Sequence, residues 1–265
     1  MSCDRVPRFP RSRILVMAVV VALAVAPARG DTKPAPDPAA PLKIHIIGAG
    51  EYDPMTSLPE FKTHLEKHYR VACTMSLGDK GTPSSLENLD ELKSADLLLL
   101  FARRMKLPES QMAIIRAHWE AGKPIVGLRT ACHAFQKADN EIFDRKVLGG
   151  NYGNGPSSNG AYTAVPAEGA ADHPILKGVE PFRANKYIYG QGPLAAGVVV
   201  LQICDSPKNG KLPATWVHEY HGGRMFYSST GAPDDFQDEN FRRMLTNAIF
   251  WTSHRDPEQM KKPGE

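Results

Sequence analysis

PIVGLRTACHAF, residues Pro124 to Phe135, is a short apolar run that stops abruptly at a polar turn carrying Arg129, Thr130, Cys132 and His133. Ile125 and Val126 are β-branched, the run follows a proline, and a helical pattern precedes it, so it reads as a buried central strand feeding a helix through a tight elbow. In an open parallel sheet the side chains at the carboxyl ends of the strands line the crevice where ligands bind. The elbow therefore marks the candidate site.

Working towards the N-terminus, strand-like runs at residues 96–101 (DLLLLF), 70–75 (RVACTM) and 43–48 (KIHIIG) alternate with helical patterns. That alternation predicts a parallel sheet with right-handed crossovers. The first helix is expected to open on Ser57-Leu58-Pro59-Glu60, a capping box with proline in its first turn, and to place Leu58, Phe61 and Leu65 on one face. Met112, Ile115 and Trp119 repeat the pattern before the elbow, with Gly122 as the stop.

Towards the C-terminus, residues 147–160 (VLGGNYGNGPSSNG) are rich in Gly, Asn and Ser and read as a surface loop near the site. Strands follow at 161–165, 197–203, 214–220 and 224–229, and a last amphipathic helix carries Phe241, Leu245, Ala248 and Ile249 on one face. The folded domain is expected over 42–255, followed by a frayed polar tail, 256–265.

The chain begins with a basic segment, an apolar run from Ile14 to Ala26 and the small-residue site Ala26-Pro27-Ala28, the three parts of a secretory signal over residues 1–28. The apolar run is shorter than the roughly 20 residues a membrane span needs, so no stable span is expected after cleavage and the protein is expected to be periplasmic or extracellular. Residues 29–41, Pro- and Ala-rich, read as a linker. Losing 1–28 removes four arginines and one aspartate and leaves 28 basic and 28 acidic residues. A balanced chain without a basic stripe gives no support for nucleic-acid binding. Three cysteines then remain, too odd a number for a complete disulfide framework. Cys73 and Cys204 read as small buried thiols, whereas Cys132 at the elbow is placed to do chemistry.

The stretches EYDPMTSLPEF, DLLLLFARR, PIVGLRTACHAF, VLGGNYG, HPILKGV and RMFYSSTGAPDDFQDENFRRMLTNAIFW together resemble the ThuA-like (trehalose utilisation) family of the class I glutamine amidotransferase-like superfamily. The resemblance spans nearly the whole domain in order. It implies a flavodoxin-like three-layer α/β/α sandwich with a mostly parallel central sheet, and a link to the use of disaccharides or their keto forms. The superfamily's glutamine hydrolysis is not expected. Arg129 stands at the elbow where the nucleophilic cysteine would be, Cys132 comes three residues later, the late His-Pro-Glu arrangement is missing, and Gly231-Ala232 stands where many ThuA-like sequences have Gly-His.

The candidate residues follow from this layout. Arg129 is costly to bury without a carboxylate or a ligand, and Glu51, Asp234 and Asp235 are expected at the same sheet edge. Such a set could bind sugar hydroxyls or serve acid-base work; equally, Arg129 could be a buried structural clamp and Asp235 a cap of the helix expected to start near Gln237. Glu51, His133 and Asp234 are the candidate proton carriers, and Arg129 the electrophilic or positioning group. Cys132 and His133, being adjacent, are expected to diverge and to form no thiolate-imidazole pair. Arg103, Arg104, Tyr52, Asn151, Tyr152 and Asp235 are candidate substrate contacts, with Cys132 beside them. The glycine runs at 149–155 lack phosphate-loop spacing, and His173, His218 and His221 lack metal-site spacing, so neither cofactor nor metal is expected. The expected partner is a small-molecule carbohydrate, with a homo-oligomer left open. The readings carried forward are a carbohydrate-processing enzyme working by proton abstraction beside a carbonyl or by assisted hydrolysis, a non-catalytic sugar-binding or protein-interaction module, and a thiol hydrolase built on Cys132.

Overall fold

Nine strands share one sheet in the computed structural model, which describes residues 40–206 and 210–263. The expected signal segment and all but the last two residues of the expected linker lie outside the described residues. In chain order the strands are β1 (Leu42–Ala49), β2 (Val71–Leu77), β3 (Leu97–Ala102), β4 (Ile125–Leu128), β5 (Tyr162–Pro166), β6 (Phe182–Ala184), β7 (Val199–Ser206), β8 (Gly210–Tyr220) and β9 (Gly223–Ser228). They lie side by side as β2-β1-β3-β4-β9-β8-β7-β5-β6.

The parallel half, β2-β1-β3-β4-β9, has the 2-1-3-4-5 order of a doubly wound sheet. Every pairing beyond β9 is antiparallel, so the expectation of a mostly parallel sheet is corrected to a mixed sheet, half of each kind. The physical reason lies in the connections. β7 to β8 and β8 to β9 are joined by only a few residues, and a link that short can turn a strand back but cannot carry a crossover. The short β6, which pairs only with β5, was not anticipated from the sequence.

Helices cover both faces and give three layers. On one face α1 (Pro54–His68) and α4 (Glu239–Thr252) bury Leu58, Phe61, Leu65, Phe241, Met244, Leu245 and Ile249 against the even-numbered positions of β1 and the odd ones of β3. On the other, α2 (Glu109–Glu120) buries Met112, Ile115 and Trp119 with Phe143 and Val147 of a π-helical turn, Phe143–Leu148, that continues the short α3 (Lys137–Ile142). Fully burying side chains of this size stabilises by roughly 1.5–3 kcal/mol each. The apolar spacing of α4 is therefore sufficient reason for its place.

Three local expectations are corrected. α1 begins at Pro54, with Ser57 already inside it as a donor to Asp53 O; proline suits a first helical position, where its missing N–H is not needed, so no capping box forms at Ser57. Residues Val147, Leu148, Gly149 and Gly150 of the expected surface loop are buried. The tail is not frayed where it is described: α5 (Pro257–Met260) forms, Met260 is buried against the core, and its carbonyl accepts from Arg70 N. Among the described residues no helix is long and apolar enough to cross a membrane.

Candidate functional site

β1, β3, β4 and β9 run parallel, so the segments after Ala49, Ala102, Leu128 and Ser228 meet at one edge. This brings Glu51, Tyr52, Arg103, Arg104, the elbow and Asp234-Asp235 to the same side of the sheet, as the strand pattern implies.

The elbow is a 3-10 turn, Arg129–His133, entered through Arg129 at φ 44°. That left-handed conformation is uncommon for a residue with a side chain. The surrounding structure imposes it: the Tyr227 hydroxyl donates to Arg129 O at 2.7 Å, and the Cys132 thiol lies 3.3 Å from the same oxygen. The Arg129 side chain is fully buried, with Nη1 donating to Ser229 O at 2.7 Å and its guanidinium 4.4 Å from the Tyr52 ring centroid and 5.3 Å from that of Tyr189.

Among the described residues no carboxylate pairs with it. Glu51 accepts from Arg103 at 2.8 Å, and Asp235 is fully buried and spent on backbone and amide donors, Gly231 N, Ala232 N and both Asn185 nitrogens. The expected Arg129-carboxylate constellation is thus replaced by an arginine among tyrosines. Asp235 does not cap α4 either; Asp238 does, accepting from Asn240 N at 2.7 Å. Asp234 is exposed.

His133 is buried, stacked on Tyr152 at 4.1 Å and 16° and edge-on to Tyr189 at 5.2 Å. Contrary to expectation, Cys132 and His133 do not diverge: Sγ lies 3.2 Å from Nδ1. The turn does not itself bring them together, since successive residues of a 3-10 turn stand about 120° apart; the two side chains meet because both are buried on the same side of the elbow. The pair is nonetheless neutral. Burial, then the charge of Asp144, pushes the thiol above its usual range. Burial and the nearby Arg103, Arg104 and Arg129 charges push the imidazole down to about 3.

Beside His133 opens a cavity of about 450 Å³ lined by Arg104, Asn140, Asp144, Arg145 and Tyr152, among others. Arg104 is held over it at φ 48° by its N–H donating to His133 O and by Gln136 donating to its carbonyl. Asn151 organises the neighbouring loop, donating to Gly192 O and, from its backbone, to Gln191 Oε1. A larger groove, about 1030 Å³, lies at the opposite edge by Tyr69, Arg224 and Trp251. Arg224 there is already committed to the Trp251 ring at 4.3 Å and to its carbonyl, so the smaller cavity is the better chemical site.

Asp144 is the group that sequence reasoning missed. It sits in the π-helical turn, a distortion frequent at functional sites, and is 3 % exposed. Its Oδ2 accepts from Tyr152 N at 2.7 Å, while Oδ1 has no hydrogen-bond partner among the described residues. Burial lifts its carboxyl to about 7, against the opposing pull of the Tyr152 N–H and Arg145. Gly150 makes this packing possible, because a Cβ there would stand 2.6 Å from Asp144 Oδ1 and 2.7 Å from Gln191 Oε1. A carboxyl poised near neutrality in a cavity wall can exchange a proton with a bound ligand, as the inert Cys132-His133 pair cannot. Tyr187 and Tyr189, which close the Arg129 side, were also missed; their signal was the Tyr-Ile-Tyr alternation, which puts both rings on one side of an extended segment.

Comparison with known families matches residues 48–252 to the ThuA model, described as trehalose utilisation. Comparison with curated proteins finds no match. Among solved structures, a ThuA-like protein of Bacteroides uniformis aligns at 17% identity and a TM-score of 0.61 over 85% of this chain and 98% of that one. A ThuA-like protein of Parabacteroides merdae aligns at 16% identity and 0.62, over 80% and 90%. A cold-adapted β-galactosidase of Rahnella sp. R3 aligns at 18% identity and 0.54, over 79% of this chain but 31% of its own length. At these identities the likeness is one of fold.

Proposed function

The chain belongs to the ThuA family, which gives it a carbohydrate-related role in general, and from that premise we propose that it is an exported protein that binds a disaccharide or its keto form in the cavity beside His133 and moves a proton on it with Asp144. The observation that carries this reading is the buried Asp144 carboxyl, raised to about 7 with one oxygen unpartnered, in the wall of a cavity that also presents the half-buried Tyr152 ring and Arg104. Export rests on the three-part pattern of residues 1–28.

The roles divide as follows. Tyr152, stacked on His133, offers an aromatic surface for a sugar ring, and Arg104 offers donors to its hydroxyls or carbonyl. Asp144 gives or takes the proton, which suits abstraction beside a carbonyl or assisted hydrolysis. Glu51 and Asp234 are set aside as proton carriers, the first because it is paired with Arg103 and the second because it is exposed.

The test is a thermal-shift panel of trehalose, other disaccharides and their keto forms, followed by turnover of any ligand found. Asp144→Asn should keep the ligand-induced rise in melting temperature and lose turnover by about 10²–10⁴-fold, the usual worth of a general acid or base. A folded Asp144→Asn protein that turns the sugar over normally sinks the catalytic assignment. Retained binding with no turnover by the wild type would favour the second reading, a sugar-binding module, for which the neutral Cys132-His133 pair and Gly231-Ala232 speak.

A further inference from the structure

Arg129 is a fully buried cation that no carboxylate among the described residues meets. Nη1 is satisfied by Ser229 O, but Nε and Nη2 have no hydrogen-bond partner among the described residues. Those two nitrogens form one edge of the guanidinium, the side-on fork whose parallel N–H groups match the two oxygens of a carboxylate. The hydroxyl of Tyr162, fully buried and an electrostatic neighbour of Arg129, is likewise without a partner. The nearby acids are unavailable, since Asp235 is held by four donors and Glu51 by Arg103.

What covers the guanidinium is two side chains from two loops. Tyr52, held at φ 71° just after β1, lies 4.4 Å over it, and Tyr187 lies 5.8 Å away. Their hydroxyls meet at 2.8 Å at the surface, where Tyr187 is 37% exposed. Parting these two rings breaks their mutual hydrogen bond, gives up the contacts of Tyr52 with Tyr189 and Arg129, and opens a path to the fork, where a carboxylate would replace what Tyr52 gave. Tyr189 links Arg129 to the cavity wall, touching Arg129 on one side and His133 and Tyr152 on the other.

We infer that Arg129 is the anchor of a carboxylate subsite closed by the Tyr52-Tyr187 pair, and that the carbohydrate taken by the crevice is an acidic one. The inference rests on the carbohydrate reading above and adds the charge of the ligand. The neighbouring Arg104 supplies further positive charge at the crevice mouth, the charge of Arg103 being offset by Glu51.

The experiment is titration of the full chain with glucuronate and lactobionate against glucose and lactose, with glucose 6-phosphate as the non-planar anion. The acids should bind at least tenfold tighter than their neutral counterparts and tighter than the phosphate. Arg129→Gln should abolish that preference, and Tyr187→Phe, which keeps the ring and removes the hydroxyl tie, should speed binding of the acids several-fold. Equal binding of acid and neutral sugar overturns the inference and leaves the carbohydrate reading standing, as does tighter binding of the phosphate. Binding of neither class removes both. If Arg129→Gln fails to fold, unchanged acid binding in Tyr187→Phe overturns the inference on its own.

Discussion

At the scale of single residues, environment decides which groups can act. Cys132, His133 and Asp144 are close neighbours, yet burial drives the thiol up, the imidazole down to about 3 and the carboxyl up to about 7. The thiol and the imidazole are thereby held neutral, and only Asp144 is left where it changes charge near neutral pH. The thiol hydrolase reading makes a sharp demand here, because a nucleophilic cysteine must be accessible and largely thiolate. Cys132 has no exposed surface. Iodoacetamide at pH 7.5 should leave Cys132 unmodified over hours in the native protein and label it within minutes in urea, as read by mass spectrometry of its peptide. Fast native labelling at that position would return Cys132 to the list of catalytic groups. The elbow residues were legible in the sequence because an apolar run ending in polar residues is a local signal. Asp144 was not, because what distinguishes it from the chain's other acids is burial and an orphaned oxygen, and both arise from contacts with Tyr152 and Gly150 that form only in the fold.

Elements were read more securely than their pairing. Eight of the nine strands lie where the apolar runs predict, because a buried strand leaves its composition in the sequence; Phe182–Ala184, three residues long, leaves too little. The direction of β7 and β8 depends on connection length rather than on strand composition, and so the antiparallel half was misjudged. The most consequential pairing is that of β4 with β9, which sets Tyr227 opposite Gly127 and lets its hydroxyl hold Arg129 O across the strand ends. β9 thus fixes the elbow that β4 presents. Tyr227→Phe removes that donor from a fully buried site and should cost about 1–2 kcal/mol, read in urea as a lower midpoint with an unchanged slope. It should also weaken sugar binding, since the left-handed conformation of Arg129 loses one of its restraints. A variant as stable as the wild type would mean that the Cys132 contact and core packing hold the elbow without help from β9.

For the whole molecule these buried groups set how stability follows pH. His45, fully buried on β1 between Thr74 and Ser76 of β2, is pushed down by burial to about 4, and His133 to about 3. A histidine depressed in the folded state binds its proton more readily when unfolded. Its contribution is therefore present above about pH 6.5 and is lost as pH falls from there towards 4 and below. Asp144 works in the opposite sense. Its carboxyl is raised in the folded state, so its contribution is intact below about 3.8 and is lost as pH climbs through about 7. Between pH 4 and 6.5 these two histidines, joined in the same sense by His173, His218 and His254, which burial also depresses, oppose one aspartate, and stability should climb with pH, each uncompensated proton giving a slope of about 1.4 kcal/mol per pH unit. Urea denaturation at half-unit steps from pH 4.5 to 8 checks this. His45→Gln should flatten the acid limb by about that slope, whatever it costs in packing. Asp144→Asn should steepen it and gain on the wild type progressively up to about pH 7, levelling above. Parallel curves for all three proteins would mean that these groups titrate alike folded and unfolded, and would remove the proton-carrier role of Asp144 together with its raised carboxyl.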